Sequence, residues 1–358
     1  MYFQTLQDLD FAQLKKKIDS PESCQLLVFI AEKSATDAAT FLEKMRAHGI
    51  KCVGGIYPSL IVDQQTLDTG FLLCSIPAVV DRYAIKLSEL DQWDQPLPIE
   101  GVGSAILLSD GTMGETNAFL ERIQNLIGNQ IPLVGGGAGR LDLETQPCLF
   151  TESEMFDSGG LLILLPVHAR LGVRHGWTSF AGPFLVTLAE KNIIHEINWR
   201  PALDVYKEVV EIAAQQKITP ENFFTIARSF PLGLYKAGAE YVVRDPFTVL
   251  DNSIVCLTEI PENSVFHILS GNQDSLLQAA ADVGNASAGS KPDSPLLLFN
   301  CISRVMYLGE DFHKELKAVQ QTTHQVIRGV ATIGEIASSG TGFVEFHNKT
   351  IVSCNFIS

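Results

Sequence analysis

The feature that most constrains this chain is a strand-helix-strand pattern that recurs three times with glycine at the end of its second strand. An apolar run at Leu26–Ala31 precedes a helical stretch near 36–48 and then Val53-Gly54-Gly55. Ala105–Ser109 precedes a helical stretch near 115–127 and then Val134-Gly135-Gly136-Gly137. Leu296–Cys301 precedes a helical stretch near 310–319 and then Val330 leading to Gly334. Apolar residues repeat every three to four positions in the middle segments and run continuously in the flanking ones, which separates helix from buried strand. Similar spacing between the same landmarks indicates internal duplication. A fourth, weaker copy is expected between Pro201 and Pro261, with a helix over 202–214 and strands near 240–243 and 254–257; proline suits the first helical turn, where its missing N–H is not needed.

Strand-helix-strand units followed by strand hairpins predict an α+β fold: two related lobes with mixed, largely antiparallel sheets and helices packed on one side. A length of 358 residues favours two domains. The expected division is 1–189 and 190–358, because Ala181-Gly182-Pro183 and Glu190-Lys191-Asn192 interrupt the pattern. The polar stretch 284–295 reads as a surface loop. The C-terminal residues alternate in Phe343-Val344-Glu345-Phe346 and in Ile351–Phe356, predicting two half-buried strands joined as a hairpin across His347-Asn348-Lys349. Just upstream, Gly334 and Glu335 place a permissive backbone and a carboxylate where strand propensity favours a β-branched residue, a local break of the kind that marks sites.

A formal charge of −15 excludes a nucleic-acid surface, which needs concentrated Lys and Arg. Lys15, Lys16 and Lys17 form the solvated face of a helix whose inner face is Phe11, Leu14 and Ile18. The apolar run 26–31 is far shorter than a bilayer span and Glu32-Lys33 follows it, so neither membrane segment nor targeting peptide is read, and the expected location is cytoplasmic. The seven cysteines include no Cys-x-x-Cys pair and most lie in apolar runs, consistent with buried thiols rather than zinc ligands or a disulfide framework.

Three groups of residues could carry chemistry. The glycine-rich segment 134–140 could cradle an anion, but Arg140 stands where a dinucleotide fingerprint needs glycine and a strand follows where a helix should, so a close backbone approach is the better reading. Arg140 could still hold a ligand carboxylate. The second group is Asn300, Cys301, Arg304, Thr332, Gly334 and Glu335, brought to strand ends of one lobe by the repeat. Arg304 could pair with a carboxylate and Glu335 accept from an ammonium, the two charges of an amino acid; the alternative is an internal Arg304–Glu335 ion pair. A nucleophilic Cys301 served by His313 or His347 lacks an orienting third residue. No histidine pair has metal-ligand spacing, so no metal site and no catalytic residue is assigned. The third group is the eight histidines, for any one of which a hydrogen-bonded structural role is the default reading.

The C-terminal string resembles the signature of the FIST family: Gly329-Val330-Ala331-Thr332-Ile333-Gly334-Glu335-Ile336-Ala337, then Glu345-Phe346-His347-Asn348-Lys349-Thr350. Asn300-Cys301-Ile302-x-Arg304, Phe230-Pro231-Leu232-Gly233 and Asn198-Trp199-Arg200-Pro201-Ala202 extend the match over most of 190–358. The amino-terminal half departs, with Val53-Gly54-Gly55-Ile56-Tyr57-Pro58-Ser59 where many members carry Gly-Cys-Ser-Thr-Ala-Gly-Glu. The resemblance implies a bacterial-type small-ligand sensor in signal transduction, binding an amino acid or similar metabolite; the sequence itself requires no cofactor and leaves haem open. Its signal would pass to a separate protein or through a homodimer. It also implies an alternative, a haem-based nitric oxide sensor, for which His175 and His347 are the candidate axial ligands. A third possibility is an enzyme using Glu335 as acid or base.

Overall fold

Each repeat unit folds as two parallel strands joined through helix. In a computed structural model describing residues 1–18, 25–76, 79–235, 241–289, 295–340 and 342–357, the pairs are Gln25–Ala31 with Cys52–Tyr57, Ser104–Asp110 with Leu133–Ala138, and Leu296–Cys301 with Ile327–Thr332. These are the three parallel pairings among the described strands; the rest are antiparallel. The fold is α+β with mixed sheets, as the sequence pattern predicts.

The connecting helices are Ala38–Ala47, Thr116–Ile127, and, in the third unit, Ile302–Leu308 followed by Phe312–Thr323. Thr116–Ile127 shows why such segments are helical. It buries Phe119, Leu120, Ile123, Leu126 and Ile127, one apolar stripe at helical spacing, and stops at Gly128, whose φ of 72° suits glycine.

Register aligns the units residue by residue. Gly54 lies opposite Val28, Gly135 opposite Leu107 and Gly329 opposite Leu298. A Cβ at these glycines would sit 1.8, 1.7 and 1.9 Å from the carbonyl oxygen of the residue opposite, so the repeat requires glycine at all three. Arg328, and not Val330, is therefore the counterpart of Val53 and Val134. Spacing counted to a valine misplaced the third unit by two residues.

After its second strand, each unit sends a strand into another unit's sheet. Ser59–Val62 of the first pairs with Ile327–Thr332 of the third, Leu149–Thr151 of the second with Cys52–Tyr57 of the first, and Glu335–Ser338 of the third with Leu133–Ala138 of the second. Each unit's first strand is flanked on its other side by a strand of its own: Phe71–Ile76, Gly159–Leu165 or Ile351–Ile357. Three six-stranded sheets result from this cyclic exchange. The exit points meet where Gly139 N donates to Ile56 O (2.8 Å), Gly137 N to Gly334 O (2.8 Å) and Ile333 N to Gly137 O (2.9 Å).

Exchange also corrects the expected C-terminal hairpin. Glu345–His347 pairs with Glu335–Ser338, whereas Ile351–Ile357 lies between Leu296–Cys301 and His168–Arg174 in a different sheet. Asn348, Lys349 and Thr350 cross buried between the two sheets, with Lys349 at φ 52°. Alternation identifies strands but not their partners.

The remaining sheet has eight strands, all antiparallel, running from Val242–Arg244 through Thr178–Glu190 to Pro246–Leu250. Its two end strands are separated in sequence only by Asp245, and its inner face packs on Leu203, Tyr206 and Val210 of helix Ala202–Ala214. The expected fourth repeat falls here and is corrected: no parallel pair is present among its described strands, and Glu240 lies outside the described residues. Position 190 falls at the turn between Thr178–Glu190 and Ile193–Ile197 of this sheet. The expected loop over 284–295 is helical to Ser287, in helix Gln273–Ser287, and residues 290–294 lie outside the described residues.

Phe11 and Leu14 are buried on helix Phe11–Ile18. No described helix is long and apolar enough to cross a membrane. Cys52, Cys148, Cys256, Cys301 and Cys354 are buried free thiols and Cys74 is half-buried; Cys24 lies outside the described residues.

Candidate functional site

The three units serve as an internal alignment, and the third departs from the other two. Leu60 lies opposite Val330, Leu149 opposite Gly55 and Glu335 opposite Gly136, each one residue beyond the obligatory glycine. Leu60 and Leu149 are fully buried, and Glu335 is buried just as deeply. By the same register Asn300 replaces Ile30 and Ser109, and Cys301 replaces Ala31 and Asp110. Polar groups gather at strand ends of the third unit where the first has apolar ones.

Glu335 Oε1 accepts from Thr332 Oγ1 (2.5 Å) and Oε2 from Thr350 N (3.2 Å). Burial pushes its carboxyl up to about 8, against the opposing pull of these hydrogen bonds. Desolvation, then the neighbouring Glu335, pushes the Cys301 thiol up to about 12, far from the thiolate a nucleophile requires.

Arg304 is sealed in the protein interior. Its Nη2 lies 2.6 Å from Glu315 Oε2 and its Nε donates to Glu315 Oε1 at 3.2 Å, both side chains fully buried. Nη1 donates to the carbonyls of His175 and Lys349, and Nη2 to Leu276 O. Glu315 Oε1 also accepts from Asn300 Nδ2 at 2.7 Å. The internal ion pair of Arg304 is thus with Glu315 and not with Glu335. Glu315 was legible as a charge on the buried stripe of its helix, beside Phe312, Leu316 and Val319.

A second buried pair escaped sequence reasoning. Lys349 Nζ lies 3.1 Å from Asp245 Oδ2, both side chains fully buried, and Ser303 Oγ donates to the same oxygen at 2.8 Å. The ammonium contact lacks hydrogen-bond alignment; among the described residues neither Lys349 Nζ nor Asp245 Oδ1 has a hydrogen-bond partner, and Nζ sits 5.3 Å over the Trp177 ring. Asp245 joins the two end strands of the eight-stranded sheet, whereas Ser303 and Lys349 belong to the three-unit core, so the pair ties the two together.

Above these residues lies a cavity of about 560 Å³. Its walls come from the strand ends at Gly111–Thr116, Cys301–Ser303 and Ile333–Gly334, and from the eight-stranded sheet at Lys191–Asn192 and 255–259. Leu141 (46% exposed), Phe247 (38%) and Met306 (41%) line its open side, while Cys301, Ser303, Ile333, Phe346 and Asn348 line it from buried positions. Of the sequence-read residues, Cys301 and Gly334 line the cavity. Asn300, Arg304, Thr332 and Glu335 lie behind its wall, and Arg140 is outside its lining, donating to Gln146 Oε1 at 2.8 Å. The glycine-rich segment is a buried strand whose Gly137 amide is taken by Gly334 O, so it offers no open anion cradle.

Neither His175 nor His347 lines the cavity. His175 is buried, its Nδ1 accepting from Trp177 N at 2.9 Å, and burial and then Arg304 lower its pKa to about 4. These two histidines therefore do not fit as axial ligands of a haem held in this cavity. Among the described residues no cluster of His, Cys, Asp or Glu has the arrangement of a metal site.

A family model for the FIST N domain matches residues 24–200, and one for the FIST C domain matches residues 202–338. No curated protein matches the chain.

Proposed function

The chain belongs to the FIST family, whose domains are associated with small-ligand sensing in signal transduction, and from that premise we propose that it binds an amino acid or similar metabolite in the cavity between the three-unit core and the eight-stranded sheet. The observation that carries the reading is the cavity itself: strand ends of two repeat units and two stretches of the neighbouring sheet converge on one concave, largely apolar volume with a few polar groups, the usual form of a small-molecule site.

Sensing requires only that the ligand favour one of two arrangements and that a partner distinguish them. Because the cavity is walled by both the core and the eight-stranded sheet, a ligand that touches both biases how they pack. Ser303 and Asn348 line it, and behind them Ser303 and Lys349 reach Asp245 across the same junction. A separate signalling protein would read the change.

A thermal-shift screen of the purified chain against the amino acids tests this reading. A selective rise in melting temperature, saturating with concentration, is the expected result, because a ligand bound only to the native state stabilises it by mass action. No shift with any member at millimolar concentration, and no binding by calorimetry, would overturn it.

A further inference from the structure

The cavity's lining is selective in a way that the reading of an amino-acid sensor does not itself specify. Leu141, Phe247 and Met306 are large apolar side chains left 46%, 38% and 41% exposed around its open side. Single exposed apolar residues need no explanation, but three converging on one concavity form an apolar patch of the kind that marks a binding groove. Deeper in, Ile302, Ile333 and Phe346 continue the apolar wall.

One polar group at the buried end is left over. Asn348 is 2% exposed and its Oδ1 accepts from Thr258 Oγ1 at 2.9 Å, yet its Nδ2 has no hydrogen-bond partner among the described residues. Asn348 lines the cavity from its buried end, within reach of a ligand held there. Beside it, Ser303 Oγ already donates to Asp245, and the Cys301 thiol is already engaged with Glu335. An amide facing one end of an apolar cavity calls for a hydrogen-bond acceptor.

We propose that the ligand has a bulky apolar body, an aromatic or long aliphatic side chain, covering Leu141, Phe247 and Met306, and a carboxylate or carbonyl end that accepts from Asn348. This rests on the amino-acid reading and narrows it to members such as phenylalanine, tryptophan and leucine. Burial of a large side chain supplies the affinity, and the amide orients it.

The test is titration calorimetry of the whole chain with three sets of ligands. They are bulky apolar amino acids, small or polar ones (glycine, serine, aspartate), and bulky carboxylates without an amino group (3-phenylpropionate, 4-methylpentanoate). The first set should bind at least tenfold more tightly than the second. Phe247→Ala, at a partly exposed position, should weaken the bulky ligands about tenfold, and Asn348→Leu should weaken them further if it folds. Preference for small or polar amino acids, or an unchanged affinity in Phe247→Ala, would overturn the inference and leave the amino-acid reading standing. Binding of the third set without the first would remove the amino-acid reading and keep the apolar site. Binding by none of the three sets removes both.

Discussion

Replacing Arg304 by alanine distinguishes a buried framework residue from a ligand anchor, and the geometry sets the size of the effect. The guanidinium makes two contacts to Glu315 and reaches the carbonyls of His175, Lys349 and Leu276, with no exposed surface. Its removal leaves the Glu315 carboxylate buried with Asn300 Nδ2 as its one remaining donor among the described residues, and strips three carbonyls of a donor. Stranding one member of a buried ion pair costs about 3–5 kcal/mol. For a chain this long, at about 2 °C per kcal/mol, the melting temperature should fall by roughly 6–10 °C. Glu315→Gln removes the charge and keeps an amide, so in Arg304→Ala/Glu315→Gln no carboxylate is stranded. The double variant should therefore be more stable than the sum of the single losses implies, with a coupling of about 1–3 kcal/mol. Urea unfolding followed by circular dichroism measures all four proteins. Strictly additive losses, or an Arg304→Ala chain within about 1 kcal/mol of the parent, would refute the assignment. Any ligand affinity lost in Arg304→Ala should accordingly be traced to unfolding first.

Glu335 makes stability depend on pH. Its folded-state carboxyl holds a proton to about pH 8 whereas an unfolded one releases it near 4.5, so the native state should lose stability as pH rises between these values, by up to about 5 kcal/mol. Glu335→Gln should flatten that part of the profile, and parallel pH profiles for the two proteins would exclude the carboxyl as its source. Gly329→Ala places a methyl 1.9 Å from Leu298 O and should cost about 3 kcal/mol or prevent folding, whereas Gly342→Ala, whose methyl would meet nothing within 4 Å among the described residues, should change stability by about 0.5 kcal/mol or less. Equal denaturation midpoints for the two glycine variants would contradict the shared register of the repeats. Lys349→Met leaves the Asp245 side chain buried with Ser303 Oγ as its remaining donor among the described residues and should destabilise by about 3 kcal/mol; a midpoint like the parent's would show that the pair does not hold the sheet to the core.

Local pattern determined much of this protein. The three strand-helix-strand units follow from apolar runs and helical stripes, and a helical crossover is the connection that parallel neighbouring strands require. The C-terminal motifs carry the family, and the break at Gly334-Glu335 was visible as a carboxylate in a strand. Tertiary structure decided the partners. Ser59–Val62, Leu149–Thr151 and Glu335–Ser338 are each compatible with many sheets, and their exchange between units is settled only by register and burial when all three units pack. That exchange sets Glu335 where the other units bury leucine, turns the expected hairpin into a crossing at Asn348–Thr350, and brings Asp245 against Lys349. Arg304 illustrates the physical reason. A guanidinium is an equally good partner for Glu335, for Glu315 or for a ligand carboxylate, and only the packed position of helix Phe312–Thr323, which delivers Glu315 into the interior, selects among them.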